Sequence, residues 1–261
     1  MPENTFEILT NNYIIEDNRV RRIVPPTRTL KITGTRFPAV LGLDPFKTPF
    51  EAWCELVRIA KRKFIETPKL KAGRVIEKSL LESLKAEYPN RSLKSPEEAW
   101  DLTGDGYDFF PNWPVFGGKW DGIGANTIVE LKTTAAKNLR YWARGVPEQH
   151  ILQAALYAYL SHCDKIIIAC SFIPDDAYDR PDSFRPEFGK NIGDGNSYYR
   201  EFSVHDIFPD FSQNQLQKAQ NFWDYHVTTG VSPEFTDKDW QSGLVDALKQ
   251  ETAAIHRLTS I

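Results

Sequence analysis

The spacing of apolar side chains predicts two helices near the start of the chain. Residues 49–60 carry apolar side chains at helical spacing, and Thr48-Pro49 supplies a capping hydroxyl and a proline for the first turn. A shorter helix is predicted just before it, capped by Thr33 or Thr35 and ended by Gly42. Residues 1–30 indicate an irregular or strand-like beginning.

The pattern then alternates between helix and strand through the middle of the chain. Residues 68–88 form a predicted amphipathic helix, and 99–133 predict a meander of short strands separated by glycine-containing turns. A helix is predicted over 147–161, after which the continuous apolar run at 165–174 is typical of a buried strand. This order predicts one α/β domain.

The last third has less regular patterning. Residues 175–200 are rich in Asp, Gly, Pro and Asn, which predicts a long mobile loop. A helix is predicted over 212–228, and one weaker helix over 237–258.

Composition is that of an ordinary globular protein, with 41% hydrophobic and 26% charged residues. No apolar run approaches the roughly 20 residues of a membrane span, and the N-terminus has no signal-peptide pattern, so a cytoplasmic protein without a membrane partner is expected. The three cysteines are too few for the usual four ligands of an iron–sulfur cluster, and no such cluster is expected.

Charge is distributed unevenly along the chain. The net charge is −3, yet residues 1–80 contain 15 Lys or Arg against 9 Asp or Glu, whereas residues 81–261 contain 17 against 26. A basic first third can attract phosphate groups. Uneven surface charge without a ligand explains the same counts, and both interpretations remain open at this point.

Candidate chemistry lies in the predicted strand that begins at Thr127. Glu130 and Lys132 share one face of this strand, because side chains alternate. Asp121 is predicted on the preceding antiparallel strand, so two carboxylates could reach one Mg²⁺ ion beside the lysine. The alternative is an exposed strand with an ordinary surface ion pair.

Two further residues are weaker candidates. Glu77 follows Gly73 by one helical turn on the 68–88 helix, where it could supply a second metal ligand or face solvent. Gln153 lies on the 147–161 helix and could be a plain surface residue.

Taken together these residues resemble a known nuclease superfamily. The set Gly73-x-x-x-Glu77, Asp121, Glu130-x-Lys132 and Gln153 is similar to the PD-(D/E)XK motif. More narrowly it resembles the YqaJ-like viral recombinase family, which includes phage lambda exonuclease. The early residues Thr35-Arg36, Gly42-Leu43 and Phe46 and the later stretch "FWDYHVTTGVSPEF" also resemble that family, so the likeness spans about residues 30–235.

The resemblance implies an α/β fold, a PD-(D/E)XK (restriction endonuclease-like) core with a central mixed β-sheet flanked by helices and extra N- and C-terminal helices. It implies a single nuclease domain over 1–261. Within it, 1–67 would be an N-terminal helical part that contacts DNA, 68–173 the catalytic core, and 174–261 the loop excursion and C-terminal helices.

The resemblance also implies roles for individual residues. Asp121, Glu130 and the Leu131 carbonyl would bind Mg²⁺, with Mn²⁺ as an alternative ion, and Glu77 would serve a second metal or its water. Lys132 would activate water and Gln153 would support the site. Thr35 and Arg36 would contact DNA phosphates.

The implied function is a Mg²⁺-dependent deoxyribonuclease, an exonuclease that resects ends of double-stranded DNA for phage-type recombination. A single-strand annealing protein as partner, a ring-shaped homo-oligomer and the cytoplasm of a bacterial or phage-infected cell belong to the same expectation. Trp120 replaces the motif's proline and Thr35 its usual serine. An endonuclease of restriction or repair type and a non-catalytic DNA-binding or assembly protein remain as alternatives.

Overall fold

The structure is a computed structural model, and it describes residues 5–24, 28–99 and 108–258. The chain forms two compact units. The first unit consists of Met1–Phe64, Trp113–Phe116 and Ser212–Ile261, and the second of Ile65–Asn112 and Gly117–Phe211.

Eight strands and ten α-helices, together with short 3₁₀ and π-helical segments, make up the regular structure of the described residues. The strands are β1 (Phe6–Ile8), β2 (Tyr13–Glu16), β3 (Arg19–Arg22), β4 (Ala60–Arg62), β5 (Gly122–Gly124), β6 (Thr127–Ala135), β7 (Lys165–Ile173) and β8 (Ser197–Ser203). The helices are α1 (Phe37–Val40), α2 (Pro49–Leu56), α3 (Pro68–Glu87), α4 (Pro96–Ala99), α5 (Leu139–Trp142), α6 (Glu148–Leu160), α7 (Val204–Ile207), α8 (Gln217–Phe222), α9 (Asp237–Gln241) and α10 (Leu244–Leu258).

The second unit is built on a mixed four-stranded sheet with the order β5-β6-β7-β8. β5 is antiparallel to β6, β6 is parallel to β7, and β7 is antiparallel to β8. The parallel pair requires a crossover connection, which α5 and α6 provide. The predicted α/β class with a mixed sheet flanked by helices is confirmed.

Helix α3 packs on β6 and β7 through one apolar face. Leu80, Leu81 and Leu84 bury this face against Val129 and Leu131 of β6, and side chains of β7 complete the cluster. Helix α6 also packs on β6 and β7. The two central strands are therefore covered by helices, which explains why β7 is buried along almost its whole length.

Two helices begin with a threonine cap, of which the cap at Thr48 was predicted from the sequence. The Thr48 hydroxyl accepts a hydrogen bond from the Glu51 amide at 3.0 Å, and Pro49 opens α2. The Thr67 hydroxyl accepts from the Leu70 amide at 3.2 Å at the start of α3.

The predicted cap of α1 is wrong. Its N-cap residue is Arg36, with no side-chain cap, and the Thr33 carbonyl rather than a threonine hydroxyl accepts from the Phe37 amide at 2.9 Å. Gly42 follows this helix with φ +74°, as predicted for its end.

Other differences arise from tertiary pairing. Ala60 lies in β4 and pairs with Ile8, rather than ending a helix. The segment 175–200 contains two short 3₁₀ turns and the start of β8, because Ser197 pairs with Ser171 at the sheet edge. The predicted tail helix is two helices separated at Gly243. Of the predicted 99–133 meander, residues 100–107 lie outside the described part, and regular strand begins only at Gly122.

The first unit contains β1 paired with β4, β2 paired with β3, and the buried helix α2. The Trp53 indole N–H donates to the His226 carbonyl at 2.9 Å, and the Tyr13 hydroxyl donates to the Leu248 carbonyl at 3.0 Å. These bonds join the N-terminal strands and α2 to the C-terminal helices. Within the described ranges, no helix combines the length and apolar character needed to cross a membrane.

Leu80→Ala should lower the free energy of unfolding by about 2–5 kcal/mol, because it leaves a cavity under the sheet. Leu70→Ala is the matched control, since Leu70 is on the same helix but 46% exposed, and it should change stability by less than about 0.5 kcal/mol. Urea denaturation followed by circular dichroism measures both. Equal losses in the two variants would contradict the assignment of the α3 core face.

Candidate active site

Strand β6 carries two different faces, as alternation requires. Val129 and Leu131 are buried in the α3 cluster. Glu130 and Lys132 therefore point away from that cluster. Glu130 is only 1% exposed, so this is not a surface ion pair on a solvated strand face.

Asp121 immediately precedes β5 and is fixed against β6. Gly122 pairs with Val129 in the antiparallel register, which brings Asp121 next to Glu130. One oxygen of the Asp121 carboxylate, Oδ2, accepts from the Leu131 amide at 2.8 Å. The predicted neighbourhood of the two acids is therefore observed, although Asp121 lies one residue before the strand instead of within it.

Lys132 forms a close ion pair with Glu130. The ammonium group donates to Glu130 Oε1. The second oxygen, Glu130 Oε2, is buried and has no hydrogen-bond partner among the residues that the structure describes. An unpaired buried carboxylate oxygen is costly, so this atom is a candidate for a ligand contact.

Glu77 reaches the same group of charges from α3. Gly73, one turn before it, permits close packing on β6, because a Cβ at this position would lie 2.7 Å from the Thr133 hydroxyl oxygen. The carboxylate of Glu77 interacts electrostatically with Asp121, Lys132 and Glu130. The structure thus brings together four of the residues singled out in the sequence.

Burial and mutual repulsion shift the protonation of these acids. Burial, reinforced by Asp121, raises the pKa of Glu77 from 4.5 to about 7. Burial raises the pKa of Glu130 to about 8 despite the opposing effect of Lys132, and it raises the pKa of Asp121 as well.

Lys132 remains protonated in this environment. Burial acts to lower its pKa, but Glu130, Asp121 and Glu77 together outweigh burial and hold the pKa above its ordinary value. The cluster therefore has three carboxyl groups competing for one ammonium group, and the surplus negative charge favours an additional cation.

The donor set fits a hard divalent cation. Asp121, the free oxygen of Glu130 and the Leu131 carbonyl are oxygen donors, and Mg²⁺ commonly takes one or two protein carboxylates together with water and phosphate. In the part of the chain that the structure describes, no group of three His, Cys, Asp or Glu side chains could hold a metal ion. Two carboxylates and one carbonyl leave positions on such an ion for water or substrate.

Gln153 and His150 lie three residues apart on α6. The Gln153 side chain is half-buried and makes no hydrogen bond within the described residues. Sequence reasoning missed His150, whose ring stacks on Trp142 at 5.7 Å and whose pKa is lowered to about 3, first by burial and then by Lys132. The only sequence signal for it was its spacing from Gln153 on one helix face.

Thr35 and Arg36 belong to the first unit. Thr35 is exposed, and its hydroxyl lies 3.2 Å from that of Thr33. Arg36 donates from Nε to Glu55 at 3.1 Å and from NH1 to the Thr33 hydroxyl at 3.3 Å. Arg36 also lines a cavity of about 500 Å³ together with the cationic side chains of Arg28, Arg58, Lys61 and Arg62.

Similarity to known proteins agrees with this architecture. The mixed sheet with its flanking helices and the charged pair on β6 have the arrangement of the PD-(D/E)XK fold. Residues 25–164 match the profile of the YqaJ-like viral recombinase domain, and the chain belongs to that family. The family and the fold predicted from sequence are both confirmed.

Individual relatives match over most of the chain. The uncharacterized protein MG373 homolog of Mycoplasma pneumoniae and the uncharacterized protein MG373 of Mycoplasma genitalium are each 25% identical, and each match covers 90% of this chain and 94% of the relative. The crystal structure of an alkaline exonuclease (LHK-Exo) from Laribacter hongkongensis aligns with a TM-score of 0.50 at 12% identity, covering 86% of this chain and 94% of that chain.

Glu77→Gln should stabilise the metal-free protein at high pH. The raised pKa means that the stability which protonated Glu77 contributes is fully present below pH 4.5 and is lost as pH rises through about 7. Glutamine is neutral throughout, so the variant in EDTA should melt about 3 °C or more above wild type at pH 8. The two should melt together near pH 4.5. A lower melting temperature for the variant at pH 8 would contradict the electrostatic picture.

Proposed function

We propose that this protein is a divalent-metal-dependent deoxyribonuclease, an exonuclease that degrades DNA from duplex ends. The observation that carries the proposal is the buried Glu130–Lys132 pair beside Asp121, in which one Glu130 oxygen has no hydrogen-bond partner within the described ranges. Membership of the YqaJ-like family and the structural likeness to an alkaline exonuclease support this reading.

The proposed chemistry assigns each residue a limited task. A bound divalent cation supplies Lewis-acid polarisation of a phosphoryl oxygen and a water of lowered pKa. Asp121, held by the Leu131 amide, and Glu130 would hold that cation, with Mg²⁺ as the first choice and Mn²⁺ as the alternative. Glu77 would bind a water or a second ion.

Lys132 suits an orienting and charge-stabilising role. Its raised pKa keeps it protonated, so it can donate a hydrogen bond to the attacking water or to a phosphoryl oxygen as negative charge develops. The attacking water gives up one proton to solvent as its oxygen bonds to phosphorus. The bond from phosphorus to the leaving oxygen breaks, and that oxygen takes up a proton from solvent. Gln153 would support this arrangement from α6.

Duplex DNA ends are the proposed substrate, and Thr35 and Arg36 would contact its phosphates. The cation-lined cavity around Arg36 supports this assignment, because such a surface attracts phosphate. The single nuclease domain with its 68–173 catalytic core, the annealing-protein partner, the ring-shaped oligomer and the cytoplasmic location remain predictions of the family resemblance.

Asp121→Asn should abolish metal-dependent hydrolysis, with a loss of at least about a hundredfold, because it removes a charged metal ligand. Linear duplex labelled at one 5′ end, incubated over a Mg²⁺ series with an EDTA control, reports release of the label as mononucleotide. Asp175→Asn is the matched control, since Asp175 is 90% exposed in a surface pair with Lys69, and it should retain activity.

Three outcomes separate the readings. Full activity in Asp121→Asn would reject the site. Cleavage of closed circular duplex by wild type would favour an endonuclease, and no cleavage of either substrate would favour a non-catalytic DNA-binding protein.

Arg36→Ala should weaken DNA binding and reduce the slope of log affinity against log salt by about one unit, because one phosphate contact is lost. Binding measured in EDTA at several salt concentrations tests this. Lys218→Ala, an exposed lysine of the same unit, controls for the change in net charge. An unchanged slope in Arg36→Ala would mean that Arg36 contacts no phosphate.

A further inference from the structure

Helix α2 buries two carboxylates that the proposed chemistry does not use. Glu51 is 2% exposed and Glu55 is 9% exposed, one helical turn apart on a helix that is otherwise packed with apolar side chains. Burying a carboxylate is unfavourable unless cations and hydrogen bonds compensate it. Each of these glutamates therefore depends on its partners.

The partners are three cations of the first unit. Glu55 Oε2 accepts from Arg36 Nε at 3.1 Å, and Glu55 Oε1 accepts from Lys47 Nζ at 2.7 Å. Glu51 takes a bidentate pair from Arg62, at 2.5 and 2.8 Å. One carboxylate thus holds two cations, whereas its neighbour holds one.

The two cations that pair with Glu55 have further N–H groups that could donate to a ligand. In the bonds that Arg36 makes to described residues, it uses Nε for Glu55 and one NH1 hydrogen for Thr33, which engages two of its five N–H groups. Lys47 uses one of its three N–H groups in the same way. Both side chains are 21% exposed, so they remain accessible to a ligand. The trio has a net charge of +1 when all three groups are ionised.

Lys47 is also fixed through its backbone. Asp44 Oδ1 accepts from the Phe46 amide at 2.7 Å and from the Lys47 amide at 3.1 Å. The turn that carries Lys47 is therefore held independently of the ion pair. Cations whose rotamers are already fixed lose less entropy when they bind an anion.

We propose that Glu55 is a positioning residue, which holds Arg36 and Lys47 side by side as a two-cation cradle for a DNA phosphate. Lys47 thereby becomes a phosphate contact in addition to Arg36. This inference rests on the proposed function, because it requires that the chain binds DNA. Glu55 itself would not touch the phosphate and acts only through the two cations.

The direction in which Glu55→Gln changes DNA affinity distinguishes loss of positioning from a long-range effect of charge. The variant removes a negative charge, so long-range electrostatics alone would tighten binding to a polyanion. Loss of positioning weakens binding instead, by about tenfold in Kd, since glutamine cannot hold two cations as a carboxylate does. Glu7→Gln is the matched control, because it also removes one negative charge, from an exposed pair with Lys61. It should leave binding unchanged or slightly tighter.

The experiment measures binding of a fluorescent duplex to the full chain in EDTA, at several salt concentrations, with melting temperatures recorded for each variant. We expect Glu55→Gln to weaken binding. We expect Lys47→Ala to weaken binding about tenfold in wild type and less than about twofold in the Glu55→Gln background, because coupled residues are not additive. With Mg²⁺ present, Glu55→Gln should raise KM and leave kcat within about twofold, which a general loss of folded protein would not do.

Tighter or unchanged binding in Glu55→Gln, or independent effects of the two substitutions, would overturn the inference. If Glu55→Gln fails to fold, Lys47→Ala alone decides, and unchanged binding in that variant overturns it. Wild type that binds no duplex at any salt concentration would instead refute the proposed function. A wild type that binds DNA and is unaffected by these changes refutes only the positioning role.

Discussion

The ion pair between Glu130 and Lys132 is the interaction on which the candidate site depends. It lies on one face of β6, while the opposite face of the same strand is packed against α3. A shift of β6 by one residue would move its apolar side chains to the charged face and its charged side chains into the apolar cluster. The core packing of Val129 and Leu131 therefore sets where the charged pair points. The Asp121 carboxylate is held by the same strand through the Leu131 amide.

Burial gives this pair its chemical character. Glu77, Asp121 and Glu130 compete for one lysine in surroundings that penalise charge, so their pKa values are all raised. Such an arrangement lowers the stability of the metal-free protein. Residues that lower the free energy of unfolding in this way are common at functional sites. A divalent cation would relieve the repulsion. Glu130 Oε2, which accepts no hydrogen bond from any described residue, is the atom that such a cation would stabilise most.

The first unit also buries carboxylates, but there the balance of charge is the opposite. In the second unit, acids outnumber the single ammonium group. In α2, the buried Glu51 is paired with one cation, whereas the buried Glu55 is paired with two, which is one positive charge more than its own negative charge balances. A surplus of fixed positive charge suits a phosphate ligand, just as a surplus of buried negative charge suits a metal ion. Under the proposed function, the second unit would bind the metal ion and the first unit would bind a DNA phosphate.

Elements whose physical cause is local could be predicted from the amino-acid sequence. Apolar periodicity fixed α3, α6 and β7 to within a residue or two, Thr48-Pro49 fixed the start of α2, and the alternation of Glu130 and Lys132 against Val129 and Leu131 fixed the two faces of β6. Tertiary structure decided what depends on partners distant in sequence. Strand β8 begins in a segment that has no strand pattern in its sequence, because its residues pair with β7. Ala60 is part of a strand because it pairs with Ile8. His150 and Glu55 gained their significance in the same way, since burial beside Lys132 or between Arg36 and Lys47 brings together charges that local sequence does not pair.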